Sequence, residues 1–489
     1  MTTKNFKNMI KERTLKKTTR KKKNHGGRVF GHGGYGCVFR PPLKCKNIKE
    51  SNEIQIQNQN QNVTKLMIKK YAKKEFSEFK KFKRVLKNIP DYNNYFLMNN
   101  ITLCVPEKLN KEDLKHFNEK CKTLENKNYN ESNINDKLDD LLGINMPYGG
   151  IDIEDYVNKI NFNIQKMKVL NNKLIRLLKN GILKMNQYNV YHGDIKESNI
   201  LVGKSNNEID TRIIDWGLSV IYNGEGNIPQ FLAGRPIQFN VPFSCILLNQ
   251  RFKQVCDHFL KDHPNPTKSE MRSLILHTIN ISKTKHLKLI NYTFKNIFKD
   301  EYHDILKKNE NIDQNKNNKK NDEKIYTLEY NYTIEKIYNY LSKVLDKYIK
   351  NGKFHQIEFF KEVYLKNLDI WGFFSVYLFF VEYISIKNSK NNITHFKKNQ
   401  LKLIDKIKEA YLLILNSADV AIDINTLVKI LDEIDPLLND SLDEENQNKK
   451  NNFTHLFQLI ANKKKSSYKT KKRSASMNKT KKNTGNSTK

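Results

Sequence analysis

His192-Gly193-Asp194-Ile195-Lys196-Glu197-Ser198-Asn199-Ile200-Leu201-Val202 is the stretch on which the reading of this chain turns. Its polar residues follow the pattern H-x-D-x-K-x-x-N and run directly into an apolar strand. Each side chain suits one task in moving a phosphoryl group. Asp194 can orient a hydroxyl and accept its proton, Lys196 can neutralise charge on the group in transit, and Asn199 can hold a divalent metal. A plain polar loop between a helix and a strand would require none of these three at these spacings.

Working outward, Ile213-Ile214-Asp215-Trp216-Gly217-Leu218 ends a second strand with a carboxylate aimed out of it. Asp215 there can bind magnesium, and Gly217 permits the chain to turn. Far upstream, Gly31-His32-Gly33-Gly34-Tyr35-Gly36-Cys37-Val38 fits G-x-G-x-x-G-x-V. Glycines at 31, 33, 34 and 36 let backbone N–H groups approach a polyphosphate, with Val38 against a purine. A strand pattern rather than a helix follows, which disfavours a dinucleotide-binding turn. Val63-Thr64-Lys65-Leu66-Met67 places a lysine inside a short apolar strand, where an unpaired ammonium is costly to bury, so Lys65 needs an anion. The following helix offers Glu78 and Glu75. Spacing favours Glu78, with Phe82, Val85 and Leu86 on the buried side, and leaves Glu75 as the alternative.

The rest of the chain sets the frame. With 489 residues, 38% hydrophobic and 10% aromatic, it has enough apolar surface for a sizeable core and enough length for two lobes with insertions. A formal charge of +35 is concentrated at the ends: residues 1–28 and 463–489 hold +10 and +11, leaving +14 for the middle. Six cysteines show neither C-x-x-C spacing nor the density of a secreted scaffold, and the N-terminus has no apolar signal stretch. An intracellular, reducing compartment is the expectation. The most apolar run, Trp371 to Ile384, falls short of the ~20 residues needed to cross a bilayer and reads as a buried helix, with no membrane span.

Periodicity gives an α+β layout. Short β-type runs occupy 28–40 and 63–68, followed by a helical pattern over Lys73–Leu86 and strand signals at Tyr95–Met98, Thr102–Val105 and Leu141–Met146. From Ile153 onward nearly every apolar pattern is helical. Asn47–Asn62, Glu119–Asp136 and Lys307–Lys324 are polar and read as loops or insertions.

In their order these motifs resemble the eukaryotic-type protein kinases and, with the Asn/Lys-rich insertions, the serine/threonine kinases encoded by giant nucleocytoplasmic DNA viruses. The resemblance covers about residues 29–460, and its strong motifs lie between 31 and 217. It implies a bilobal fold: a small β-rich N-lobe (29–148) and a larger, mainly helical C-lobe (149–462) with a helical insertion at about 250–360. It implies ATP and Mg2+ as cofactors, with the glycine loop and Lys65 on the phosphates, and backbone groups around Asn145–Tyr148, Met146 and Tyr148 included, on the adenine. Asn199 and Asp215 would hold the metal, and Asp194, Lys196, Lys65 and Glu78 would form the catalytic set. Asp369-Ile370-Trp371-Gly372 looks like the head of the family's central C-lobe helix, its Asp clamping the backbone around His192. His192, Trp216 and Phe82 would stack between the lobes. If viral, the chain belongs in the host cytoplasm or the virion.

Departures from the pattern narrow the expectation. Gly193 stands where many such kinases have Arg, so the usual cationic anchor for a phosphorylated loop is missing. Arg235-Pro236-Ile237-Gln238-Phe239-Asn240-Val241-Pro242 stands where A-P-E is usual. Lys196 favours a protein substrate with a Ser/Thr acceptor over tyrosine, while H-G-D keeps small-molecule hydroxyl kinases as an alternative. A non-catalytic scaffold whose basic, Ser/Thr-rich tails contact nucleic acid or anionic surfaces is a second alternative; the tails themselves read as disordered.

Overall fold

A lysine can sit in the middle of a strand when both neighbouring strands shield its backbone and its own side chain reaches an anion. The computed structural model, which describes residues 28–33, 36–46, 61–205, 208–282, 286–302, 304, 321–390 and 398–437, has that arrangement. Strands β1 (Arg28–Gly33), β2 (Gly36–Arg40), β3 (Asn62–Ile68), β4 (Thr102–Cys104) and β5 (Leu141–Pro147) form one antiparallel sheet in the order β1-β2-β3-β5-β4. Lys65 lies opposite Val38 on one side and Ile144 on the other.

Helix α1 (Lys69–Leu86) follows β3 without an intervening loop. Ala72, Phe79, Phe82 and Leu86 recur at intervals of seven, three and four residues and form its buried stripe. Lys83 and Arg84 in the last turn complement the helix dipole.

The expected strand at Tyr95–Met98 is absent: Tyr92–Asn94 is a single helical turn, and Phe96 makes one isolated bridge to Ile213. Tyr95, Phe96 and Met98 are apolar because they fill the core rather than because they pair. Glu119–Asp136 is likewise not a plain loop. It contributes to the short helices Phe117–Lys120 and Lys122–Glu125, and Phe117, Leu124 and Ile134 join Val29, Phe39 and Leu66 in a second, small core. Leu124 and Ile134, with Phe117 just before the segment, seat it on the sheet. Two disulfides, Cys37–Cys121 and Cys45–Cys104, bind the same region together, a correction to the reading of cysteine spacing, which found no disulfide framework. The partners are 84 and 59 residues apart, so nothing local announces them.

After Asp152 the chain is mainly helical. Asp152 caps Ile153–Ile160 by accepting from Asp155 N, and Asn163 caps α2 (Ile164–Arg176) by accepting from Lys166 N. Short strands interrupt the helices: β6 (Ile151–Asp152), β8 (Ile200–Ser205) and β9 (Glu208–Ile213) form one sheet, and β7 (Val190–Tyr191) pairs with β10 (Val220–Ile221). Segment 250–360 holds helices Gln250–Asp262, Lys268–Ile281, Leu287–Ile297 and Asn321–Tyr348. Both basic tails, residues 47–60 and most of Lys307–Lys324 lie outside the described residues.

Helix α3 (Leu365–Lys390) carries apolar residues on all its faces with only a few charged ones, which is the pattern of a helix enclosed over most of its surface. The longer helical stretch Gln356–Asn388 has the length and composition to cross a membrane, yet 78% of its apolar window is buried inside the protein. Trp371 shows why. Its ring meets Phe243 at 5.0 Å, Tyr340 at 5.5 Å and Tyr411 at 6.1 Å, and its Nε1 donates to Phe239 O at 3.0 Å. Trp371→Ala should therefore cost about 3–5 kcal/mol in urea denaturation; a loss below about 1 kcal/mol would show that α3 is not the centre of this core.

Candidate functional site

The loop His192–Asn199 is shaped by its backbone before its side chains. Gly193 adopts φ 72°, and a Cβ there would meet Leu218 O at 2.9 Å, so glycine is what lets the chain reverse beside residue 218. The turn exposes two N–H groups to the interior, and Asp369 at the head of α3 satisfies both. Its Oδ2 accepts from His192 N at 2.9 Å and its Oδ1 from Gly193 N at 2.8 Å, while Asn186 Nδ2 donates to Oδ2 at 2.8 Å. Gly372, one turn later, lets α3 approach this closely, since a Cβ on it would stand 2.8 Å from Ile195 O.

Asp194 is the most densely hydrogen-bonded acid of the loop. Lys196 Nζ donates to its Oδ2 at 2.9 Å and Asn199 Nδ2 to the same oxygen at 3.1 Å. Asn240 Nδ2 donates to Oδ1 at 2.9 Å and Arg235 Nη2 to Oδ1 at 3.1 Å. Burial on its own would raise the carboxyl pKa, but Lys196, Arg235 and Asn240 outweigh it and hold Asp194 below the ordinary value, as an anion. Arg235 and Asn240 were not among the residues singled out for a role. The catalytic-loop pattern contains no slot for them, and their contacts span 41 and 46 residues.

Asn199 Nδ2 also donates to Asp194 O at 2.8 Å, which leaves the amide oxygen as the atom available to a cation. Asp215 follows β9 and its Ile213-Ile214 end in the left-handed region (φ 68°, ψ 72°), a conformation Asp tolerates better than most residues. Among the described residues no group of three His, Cys, Asp or Glu side chains could enclose a metal. One carboxylate and one amide oxygen suit a hard ion such as Mg2+ that keeps water and substrate phosphate oxygens as its other ligands.

Trp216 joins this loop to α1. Its ring lies 5.0 Å from His192, 5.5 Å from Phe82 and 5.6 Å from Phe96, centroid to centroid. His192 is fully buried; Asp194 N donates to its Nδ1 at 3.3 Å, and its Nε2 donates to Ile214 O at 3.0 Å. On α1, the partner of Lys65 is Glu75, at 2.7 and 2.9 Å from its two carboxylate oxygens, and not Glu78. The helix begins at Lys69, so Glu75, three residues after Ala72 and four before Phe79, lies on the buried stripe. Glu78 is a quarter turn away, 3.9 Å from Lys74. Burial, aided by Glu75 and opposed by Lys74, pushes the Glu78 carboxyl up.

The residues expected to meet a nucleotide are placed less completely. Gly31, Gly33 and Gly36 lie in the β1–β2 hairpin, with Gly33 opposite Gly36, while Gly34 lies outside the described residues. Val38 is half-buried beside Lys65. Met146 pairs with Val63 in the sheet. Tyr148 N is engaged by Gln61 O at 2.6 Å, and the Arg40 guanidinium lies 3.4 Å from the centre of the Tyr148 ring. That N–H is thus occupied by the chain itself.

No protein-family model matches the chain, and no curated protein matches it. A solved structure described as the crystal structure of a kinase domain is similar with a TM-score of 0.26 and 13% identity, over 45% of this chain and 57% of that one. The chain thus spans under two thirds of that structure, and a likeness at this level carries no argument.

Two outcomes follow from the site geometry. Glu75→Gln should lower stability by about 1–3 kcal/mol by leaving the Lys65 ammonium poorly paired, while Glu78→Gln stays within about 0.5 kcal/mol; urea midpoints of the two variants check this, and equal losses would refute the pairing. Burial holds His192 below its ordinary value, against the pull of Asp369, Asp194 and Asp215. The unfolded chain therefore takes up this proton first as pH drops below the ordinary histidine value of about 6.5, and stability falls there by up to about 1.4 kcal/mol per pH unit. His192→Gln should flatten that part of the stability profile between pH 7 and 5.5; an unchanged slope would contradict it.

Proposed function

We propose that this chain is an ATP- and Mg2+-dependent protein kinase that transfers the γ-phosphoryl group to Ser/Thr hydroxyls, on a bilobal protein-kinase-like frame. The observation that carries the reading is the Asp194 carboxylate, held as an anion between Lys196 and Asn199 on a loop whose backbone Asp369 clamps. A charged carboxylate of fixed orientation is what an acceptor hydroxyl needs in order to be aligned and to lose its proton.

The other groups fit the same chemistry. Lys65, steadied by Glu75, offers an ammonium to phosphate oxygens beside the glycine hairpin. Lys196 is 29% exposed, so it can exchange its bond to Asp194 for one to the phosphoryl group. Asp215 and the Asn199 amide oxygen would hold Mg2+, which when bound supplies charge neutralisation on the phosphates. Lys196 in place of the histidine common in small-molecule kinases of H-G-D type favours a protein acceptor.

Incubation with radiolabelled ATP, Mg2+ and a generic basic protein should label Ser and Thr. Asp194→Ala should lower the rate by about 10² to 10⁴, the usual scale for a positioned base, and a variant as fast as the parent would remove Asp194 from the mechanism. Asp215→Ala should abolish the magnesium-dependent part of nucleotide binding measured by calorimetry; binding that keeps its full response to Mg2+ would remove Asp215 from the metal site.

A further inference from the structure

Resting on the reading that Asp194 meets the acceptor hydroxyl, we propose that Arg235 and Asn240 are positioning residues that anchor one oxygen of Asp194, Oδ1, and leave Oδ2 as the oxygen that meets the acceptor. The two oxygens have different company. Oδ1 accepts from Asn240 Nδ2 and Arg235 Nη2 at 2.9 and 3.1 Å, and both donors are buried, at 2% and 7% exposure. Oδ2 accepts from Lys196 and Asn199, and Lys196, at 29% exposure, is the least buried of the four donors. A carboxylate has about four lone-pair sites, and here all four are filled. An incoming hydroxyl must displace a donor, and Lys196 is the one with solvent and phosphate to go to.

Arg235 is committed elsewhere at the same time. Its Nη1 donates to Gly193 O and its Nη2 to Gln238 Oε1 at 2.8 Å, so one planar fork ties the loop backbone, the Asp194 carboxylate and the 235–240 segment together. That segment is itself held from behind. Trp371 Nε1 donates to Phe239 O, Asn240 Nδ2 reaches Ile195 O at 3.3 Å, and Gly372 lies against Asn240 O, 3.3 Å from where its Cβ would be. Residue 193 is a glycine at φ 72° with Leu218 O 2.9 Å from where a Cβ would stand, so any side chain there would be strained, and a guanidinium reaches Gly193 O from 42 residues downstream. Arg235 is therefore a second cation on Asp194, supplied by tertiary contact at the oxygen that Lys196 does not bond, and seating the 235–240 segment is a condition for Asp194 to be aligned.

The test combines kinetics with a denaturation cycle on the full chain. Arg235→Ala should lower kcat about ten- to a hundredfold with the KM for ATP within about twofold, since the guanidinium touches the acceptor side alone. Low millimolar guanidinium should restore part of kcat to Arg235→Ala and none to Asp194→Ala. Arg235→Lys should remain impaired, because one ammonium cannot reproduce the fork. Independently of activity, the shifts in urea midpoint of Arg235→Ala and Asp194→Asn should be less than additive in the double variant. Unchanged kcat in Arg235→Ala, or additive midpoint shifts, overturns the anchor, as does a kcat loss that guanidinium does not reverse. A parent chain with no transfer activity sinks the kinase reading instead, and the cycle then decides by itself whether Arg235 holds Asp194.

Discussion

A left-handed turn in a protein interior leaves two N–H groups that no helix or sheet can satisfy, and their partner must be brought from elsewhere in the chain. Asp369 is that partner, receiving the N–H groups of His192 and Gly193 at the head of a largely buried helix. The contact runs both ways: an interior carboxylate is tolerable because three donors surround it, Asn186 being the third. The 192–199 loop is consequently fixed to the largely buried helix α3. The depth of α3, the closeness allowed by Gly372 and the aromatic packing of Trp371 all serve to keep that pair in register.

From this anchor order spreads in two directions. Toward the sheet it passes through rings: His192 on Trp216, Trp216 on Phe82 and Phe96. Phe82 shares a helical stripe with Glu75, so the packing of Trp216 on Phe82 also holds the phase of α1 and with it the partner of Lys65. Toward the 235–240 segment it passes through hydrogen bonds, from Trp371 to Phe239 O and from Asn240 to Asp194. One face of the loop is thus held by apolar contact and the other by directional polar contact.

Much of the candidate site was legible because its residues act within a few positions of one another. Asp194, Lys196 and Asn199 make their mutual contacts inside one loop, and Asp215 follows a strand whose apolar pattern marks its end. The α+β layout was equally visible in the shift from alternating to helical apolar spacing. Glu75 stood second to Glu78 because the two lie about 60° apart on one helix and spacing separates them poorly; the reach of the Lys65 side chain, which only the folded sheet and helix fix, decides for Glu75. Tyr95–Met98 was read as a strand because a short apolar run looks the same whether it pairs or fills a core. The Glu119–Asp136 segment was read as a loop because its few apolar residues gain a partner surface only once the sheet exists.

By itself the amino-acid sequence determined which chemical groups the loop carries, in what order, and that one interior strand bears a cation needing an anion. It determined these because bond lengths and alternation confine near neighbours to few arrangements. The tertiary structure alone decided which glutamate answers Lys65, which cysteines pair, and that a guanidinium from residue 235 closes on Asp194. Those choices depend on surfaces separated by tens of residues, and a chain's local pattern holds no record of how far apart two such surfaces will lie once the core has closed.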